Sequence, residues 1–442
     1  MACTFDLSDA YSALGSRLYD PTNQFWTQAE LLLYIQEAMR EWNALAAYWR
    51  GDFTFPSQAD ETWYDITNLT TAPNTLRPLT QTTTNLYTLI QYHLLEPPVG
   101  NGPWTGSAQF TIAELQYAVE RRLNELLGAS GCSITQSLIP ATPGRITLPA
   151  TTLDLRRVAF IPTSGAPTTL WQDDAWAWGA FEPDYTTLPQ GVPATYAQNT
   201  QPLLTFDVDR TLNVAGQYEL LTTQGTTAAP GASVIVPDDW AWVAKWGALA
   251  DLLGRESNAK DLPRASYCEA RYRMGTQLLM MAPAVLGFRV NNFPMQVDSV
   301  RGADLYNGGW EGATPATPTT VLAAGLNLLA LTPTPNSAAY TLTATVVENC
   351  PVPSLPTDCI NVTEDVFEAI LDEAQHLAAF KMGGAEFQAT YPMHQRFLSL
   401  ASLYASRLEE MGEFADAILN QSKQEADMNP RFTADALKDA EE

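Results

Sequence analysis

The chain has three histidines, His93, His376 and His394, and none stands in an HExxH or HxH setting. It has no glycine-rich dinucleotide loop, no Walker lysine loop and no Gly-x-Ser-x-Gly elbow. Three carboxylate pairs remain: Asp173-Asp174, Asp238-Asp239 and Glu364-Asp365. Paired acids can divide general acid and base work across a glycosidic bond. Asp238-Asp239 and Glu364-Asp365, however, stand where helices begin, and negative charge there meets the positive end of the helix dipole. Asp173-Asp174 opens a short helix, DDAWAWGAF, in the same way. His376 lies beside the apolar stripe of a helix and reads as a packing histidine. The expectation is a protein that is not an enzyme, with no catalytic residues, metal or cofactor. A hydrolase using Asp173 or Asp174 is the reading this sets aside.

Twelve tryptophans come in groups, in WQDDAWAWGAFEPDY and DDWAWVAKWG. Exposed, such rings stack on sugars or anchor an interface. Trp240 and Trp246 fall on a helical stripe and read as core. For Trp171, Trp176 and Trp178 core and partner contact both stay open.

These residues need a scaffold, and the scaffold repeats itself. WTQAELLLYIQEAMREWN (Trp26 to Asn43) and FTIAELQYAVERRLNELL (Phe110 to Leu127) align with Thr27/Thr111, Ala29/Ala113, Glu30/Glu114, Leu31/Leu115 and Glu41/Glu125 identical. Thr27 with Glu30, and Thr111 with Glu114, make capping boxes, and apolar residues then recur at three- and four-residue steps. Ser8 caps an earlier helix from about Asp9 to Tyr19, and another runs from about Thr82 to Leu95 before Pro97-Pro98. From Ser133 to Val236 the chain turns β-like. TTLDLRRVAFIP alternates as a half-buried strand, and QPLLTFDVD with GQYELLTT reads as two antiparallel strands. A helical pair follows. The order then returns: AGLNLLALTPTPNSAAYTLTATVVE gives two strands about a proline-rich turn, and a second helical pair follows.

The expected fold is α+β. It is a duplicated, interleaved unit of N-terminal amphipathic helices, an antiparallel β-hairpin region and C-terminal helical pairs, with an extended C-terminal tail. The segments are 1–130, helical with the doubled helix; 131–235 and 289–361, the two β-rich copies; 236–288 and 362–427, the two helical pairs; and 428–442, the tail.

At 442 residues, 46% hydrophobic and 17% charged, the chain can bury a sizeable core and is not disordered as a whole. Its net charge of −25 argues against non-specific DNA binding, which needs cations to displace counterions, and against anionic membrane surfaces. The N-terminus lacks the basic and apolar regions of a signal peptide. Five cysteines without CxxC spacing read as reduced structural thiols.

The GVPATYAQNTQPLLTFDVD segment, the GLNLLALTPTPNSAAYTLTATVV segment, the helix VPDDWAWVAKWGALADLLGRE and the capped AELLLYIQEAMREW helices together resemble head–tail connector (adaptor or neck) proteins of tailed bacteriophages. The resemblance covers most of the chain in outline. It implies a virion structural protein, assembled in the host cytoplasm, that forms a homo-oligomeric ring below the portal. It would contact portal protein and tail or neck proteins, and let DNA pass without specific binding and without any membrane. An acidic lumen would repel the phosphate backbone. The alternative is a tail or baseplate protein whose tryptophan-rich β region contacts protein or glycan. Connector proteins also reach into the portal with C-terminal arms. In MNPRFTADALKDAEE, Asn429-Pro430 ends a helix, and Arg431 and Phe432 offer one cation and one aromatic anchor. Asn429, Arg431, Phe432, Trp171, Trp176 and Trp178 are therefore the candidate partner-contact residues.

Overall fold

The computed structural model describes residues 4–67, 70–71, 74–75, 79–95, 109–141, 145–181, 190–198, 204–227, 229–256, 260–420 and 423. The helices are α1 Leu7–Arg17, α2 Gln28–Ala46, α3 Thr83–His93, α4 Ile112–Ser130, α5 Ala175–Phe181 and α6 Ala241–Gly254. They continue with α7 Leu262–Met281, α8 Val300–Tyr306, α9 Glu364–Phe380, α10 Gly384–Ala389 and α11 Tyr391–Ala405. The strands are β1 Phe5–Asp6, β2 Arg50–Pro56, β3 Trp63–Asp65, β4 Thr70–Thr71, β5 Asn74–Thr75, β6 Ile134–Pro140, β7 Ile146–Thr147, β8 Thr152–Pro162, β9 Thr168–Asp173 and β10 Thr195–Gln198. After them come β11 Thr205–Val208, β12 Gly216–Gln224, β13 Gly287–Val290, β14 Phe293–Pro294, β15 Gln296–Ser299, β16 Thr320–Ala324, β17 Leu328–Thr332, β18 Thr341–Val347 and β19 Cys359–Ile360. The fold is α+β.

Local chemistry explains most helix ends. Thr111 accepts from Glu114 N and Glu114 reaches back to Thr111 N at 2.8 Å, the reciprocal cap its sequence promises. The α2 cap is only half of one. Thr27 accepts from Glu30 N, but the Glu30 carboxylate is buried and bonded to Lys381 Nζ at 2.9 Å and Tyr34 OH at 2.7 Å. A buried ammonium needs a counter-charge more than an exposed N–H needs a cap. The first helix starts earlier than Ser8 suggested. Asp6 is its cap, accepting from Asp9 N at 2.9 Å while Asp9 accepts from Asp6 N at 3.1 Å.

The helices α1, α2, α3, α4, α6, α7, α9 and α11 all contribute to one apolar core. Within it, two sets of elements follow the same order. In the outer set α1 and α2 lead to β2; β2 pairs with β18; β18 leads to α9 and α11; and α2 packs on both of these. In the inner set α3 and α4 lead to β6; β6 pairs with β12; β12 leads to α6 and α7; and α4 packs on both. Helices α2 and α4 are each 19 residues long and each end in a left-handed residue, Ala47 and Gly131. The inner set lies in sequence between β3 and β13, so the two are nested.

The strands form a seven-stranded sheet, β6-β12-β8-β9-β10-β11-β7, and two four-stranded sheets, β14-β13-β18-β2 and β15-β16-β17-β3. Neither hairpin expected from sequence forms. β11 pairs with β10 and β7, whereas β12 lies between β6 and β8. β17 and β18 enter different sheets, on β16 with β3 and on β13 with β2. The buried pattern of β12, from Tyr218 to Thr223, calls for partners on both edges, and these come from distant sequence. The thiol expectation holds for Cys132, Cys268 and Cys350, which are free and buried; Cys359, opposite Asp6 in the β1–β19 pair, is disulfide-bonded. No helix among the described residues is long and apolar enough to cross a membrane.

Helices α6 and α7 approach closely through two glycines. A Cβ on Gly275 would lie 2.5 Å from Val243 Cγ2, and one on Gly247 would lie 2.7 Å from Tyr272 Cδ2. Overpacking of this kind costs about 1–3 kcal/mol. Gly275→Val should therefore destabilise the protein by about that amount in urea unfolding. An unchanged midpoint would mean the helices separate freely.

Candidate interaction surfaces

The charged residues that come together most closely are sealed inside the helical core. Glu37 and Glu41, one turn apart on α2, are 2% and 0% exposed. Glu37 holds Lys245 of α6, whose Nζ also lies 3.1 Å from His93 Nε2 of α3. Glu41 takes Arg271 Nη2 of α7 at 2.7 and 2.9 Å, and the same nitrogen lies 3.3 Å from Glu373 Oε1 of α9. Glu373 in turn bonds His394 Nδ1 of α11 at 2.6 Å. His376 stacks on His394 with centroids 4.9 Å apart and is held by Tyr267 OH and Thr390 Oγ1, each at 2.8 Å. It is a packing histidine, as its place beside the stripe implies.

Burial sets the protonation of this group. It pushes the Glu41 carboxyl up to about 7 against the pull of Arg271. Burial also opposes ionisation of Glu373, but His394 and Arg271 outweigh it and hold that carboxyl at about 2. Burial drives His93 and His376 well below the ordinary histidine range. The sequence carried one signal of the network: Lys245 is a lone cation in an apolar helix. Nothing local told which acids would meet it.

A second buried group joins the seven-stranded sheet to the sheet of β15, β16, β17 and β3. Arg157 of β8 bonds Asp304 of α8 at 2.8 and 3.1 Å, Glu219 of β12 at 3.0 Å and Glu311 at 2.8 Å. Trp63 and Trp310 donate their indole N–H groups to Glu219 and Asp304, both at 2.9 Å. Three carboxylates share one guanidinium. Burial and the Glu219 charge push Glu311 up to about 8, and Arg157 lowers it only in part.

The acid pairs are structural, though not all are caps. Asp238 ties down the residues before α3, accepting from Thr80 N at 2.8 Å and Gln81 N at 3.1 Å. Asp239 accepts from Asn43 Nδ2 at 2.7 Å and Cys350 N at 3.2 Å. Burial pushes Asp239 up to about 7, against those two bonds and Arg40. They stand in the first turn of the helical segment, where a helix start was expected, but neither gives it a side-chain cap. Asp173 and Asp174 do open α5: Asp174 accepts from Trp176 N at 2.9 Å, and Asp173 from Trp178 Nε1 at 2.9 Å.

The three grouped tryptophans separate. Trp178 is 8% exposed and turned inward, so it offers no contact surface. Trp176 is 86% exposed on α5, and Trp171 is 47% exposed on β9. Trp171 lines an open groove of about 930 Å³ with Met280, Val297 and Arg301 on other walls. A second groove, of about 820 Å³, runs between the end of α1 and the α9–α11 helices and is walled by Tyr19, Phe25, Met382 and Met393. Nothing in the sequence marked it, because its walls come from opposite ends of the chain. Asn429, Arg431 and Phe432 lie outside the described residues. Trp240 and Trp246 are buried, as their stripe implies. Among the described residues no three His, Cys, Asp or Glu side chains are placed to hold a metal ion. In comparisons with known proteins, no protein-family model and no curated protein matches the chain.

Removing one partner from a buried ion pair leaves its counter-charge stranded and costs about 3–5 kcal/mol. Arg271→Ala should therefore destabilise the fold by about 3–5 kcal/mol in denaturant unfolding. A loss no larger than that of an exposed control, Arg273→Ala, would contradict the central place given to this residue.

Stability should also fall as pH rises from about 6.5 to 8.5. Glu41, Asp239 and Glu311 have folded values raised to about 7, 7 and 8, so the stability they add is present below their unfolded values and is lost as pH climbs through the folded ones. The buried neutral His93 and His376 act oppositely, but only below the ordinary histidine range. Scanning calorimetry at both pH values checks this. Glu311→Gln should flatten the slope, and a melting temperature that rises across the window would contradict it.

Proposed function

We propose that this chain is a virion structural protein of the head–tail connector kind, forming a ring that joins head to tail around a DNA channel. The observation that carries the reading is the nested pair of helix–strand–strand–helix–helix sets, with their capped 19-residue helices in matching places. Of these elements α2, α6 and β18 lie in segments on which the resemblance to connectors rests. The proposed history is the doubling and interleaving of one ancestral unit.

Two further features support a structural role. The densest charge constellations are buried, so Arg271, Glu373 and His394 serve cohesion and not a substrate. With a net charge of −25, and with Arg122, Arg145, Arg156, Arg255 and Arg396 already in ion pairs, the surface has few cations for phosphate. DNA could pass such a wall with little friction.

The second reading, a tail or baseplate protein that contacts glycan or protein, draws support from the exposure of Trp171 and Trp176. Aromatic faces displayed beside polar groups stack on sugar rings. Negative-stain microscopy and a glycan array separate the two. Rings without glycan binding are expected; a glycan-binding monomer would favour the second.

The purified protein should show no tight DNA binding at moderate salt, and no steep dependence of binding on salt. Retention of duplex DNA in a gel-shift experiment at 150 mM salt, on the order of physiological ionic strength, would count against a passive channel wall.

A further inference from the structure

We infer that Cys359 and Cys3 form a redox clasp, closed by oxidation and opened by small thiols, that fastens the start of the chain to the segment leading into α9. The chain has five cysteines. Cys132, Cys268 and Cys350 are free, and Cys359 is disulfide-bonded. Cys3, which lies outside the described residues, is the one cysteine left in the chain to be its partner.

The backbone beside the bond is already drawn together. In the β1–β19 pair Asp6 stands opposite Cys359 and Phe5 opposite Ile360. Leu7 N donates to Asp358 O and Ser8 N to Pro356 O, both at 3.1 Å. Phe5 stacks on Phe367 of α9 with ring centroids 4.0 Å apart. Asp358 fixes the turn before Cys359, accepting from Ser354 N at 2.7 Å and Leu355 N at 2.8 Å. Ile360 of β19 and Val362 just after it are anchored in the core. A two-residue ladder near a chain end is weak by itself, so a covalent link beside it decides how firmly β1 and the start of α1 stay docked. The loop that the bond closes encloses α1 through α8. Closing so long a loop removes much of the freedom of the unfolded chain.

Accessibility directs the redox chemistry to this bond. Cys359 is exposed, whereas the three free thiols are buried. Burial pushes the Cys132 thiol up to about 11, and burial with the Asp239 charge raises that of Cys350 well above the usual thiol range. Thiols kept protonated and away from solvent are inert, while exposed disulfides are the labile ones. The oxidant is a low-molecular-weight disulfide. One thiolate of the pair attacks it and expels a small thiol, and the second thiolate attacks the mixed disulfide and expels the other. The two protein thiols give up two protons and two electrons, and the small disulfide becomes two thiols. Excess small thiol runs the exchange backwards. None of this requires the connector reading.

The test uses the full chain equilibrated with oxidised or with reduced glutathione, beside the variants Cys359→Ser and Cys3→Ser. After alkylation of free thiols and digestion that separates Cys350 from Cys359, the oxidised protein should yield one linked pair, joining the peptides of Cys3 and Cys359. The reduced protein should yield none. Reduction should lower the melting temperature by about 2–5 °C. It should also speed hydrogen exchange at the Leu7 and Ser8 amides several-fold. Both variants should match the reduced wild type in either buffer, with unchanged circular dichroism. Free Cys359 in the oxidised protein, a link to any other cysteine or to a second chain, or melting and exchange indifferent to reduction would each overturn the inference.

Discussion

A buried charge has to be met by an opposite charge or by hydrogen bonds, because the interior cannot solvate it. In this protein that constraint reaches across the whole helical layer. Glu37 and Glu41 of α2 are matched by Lys245 and Arg271, carried by α6 and α7, and Arg271 is shared with Glu373 and His394 of α9 and α11. Three separated stretches of chain must therefore arrive together, or each leaves a charge stranded. Burial pushes the Glu41 carboxyl up to about 7 even with Arg271 beside it.

The Arg157 group repeats the same logic at the other end of the molecule. It draws Glu219 from β12, Asp304 from α8 and Glu311 around one guanidinium, and two indole N–H groups satisfy the remaining lone pairs. This fastens the inserted sheet to the sheet that β3 and β17 share. Two charged pins, one in the helical layer and one between sheets, thus hold the nested sets in register. Such pins contribute specificity to the arrangement as much as stability, since a misaligned partner is penalised heavily.

Beside the charged surface, aromatic and sulfur-bearing side chains are also exposed. Trp176 stands out on a short anchored helix, and Tyr19, Phe25, Met382 and Met393 line a groove between distant parts of the chain. Exposed apolar side chains grouped in this way are a common feature of protein contact surfaces.

The sequence by itself determined the local elements. Spacing and caps located α2, α4, α6 and α9, the Thr111–Glu114 box formed as written, and the α+β class followed from the change of pattern after Ser130. These depend on residues three or four apart, whose interactions any helix fixes. Only the tertiary structure decided partners. Glu30 left its box for Lys381, 351 residues away. β17 and β18, adjacent in sequence, went to different sheets. Trp176 and Trp178, two residues apart on one short helix, ended on opposite sides of the surface. Strand edges and buried charges are satisfied by whatever the fold brings near, and that identity is a property of the whole chain, with no trace in the neighbouring residues.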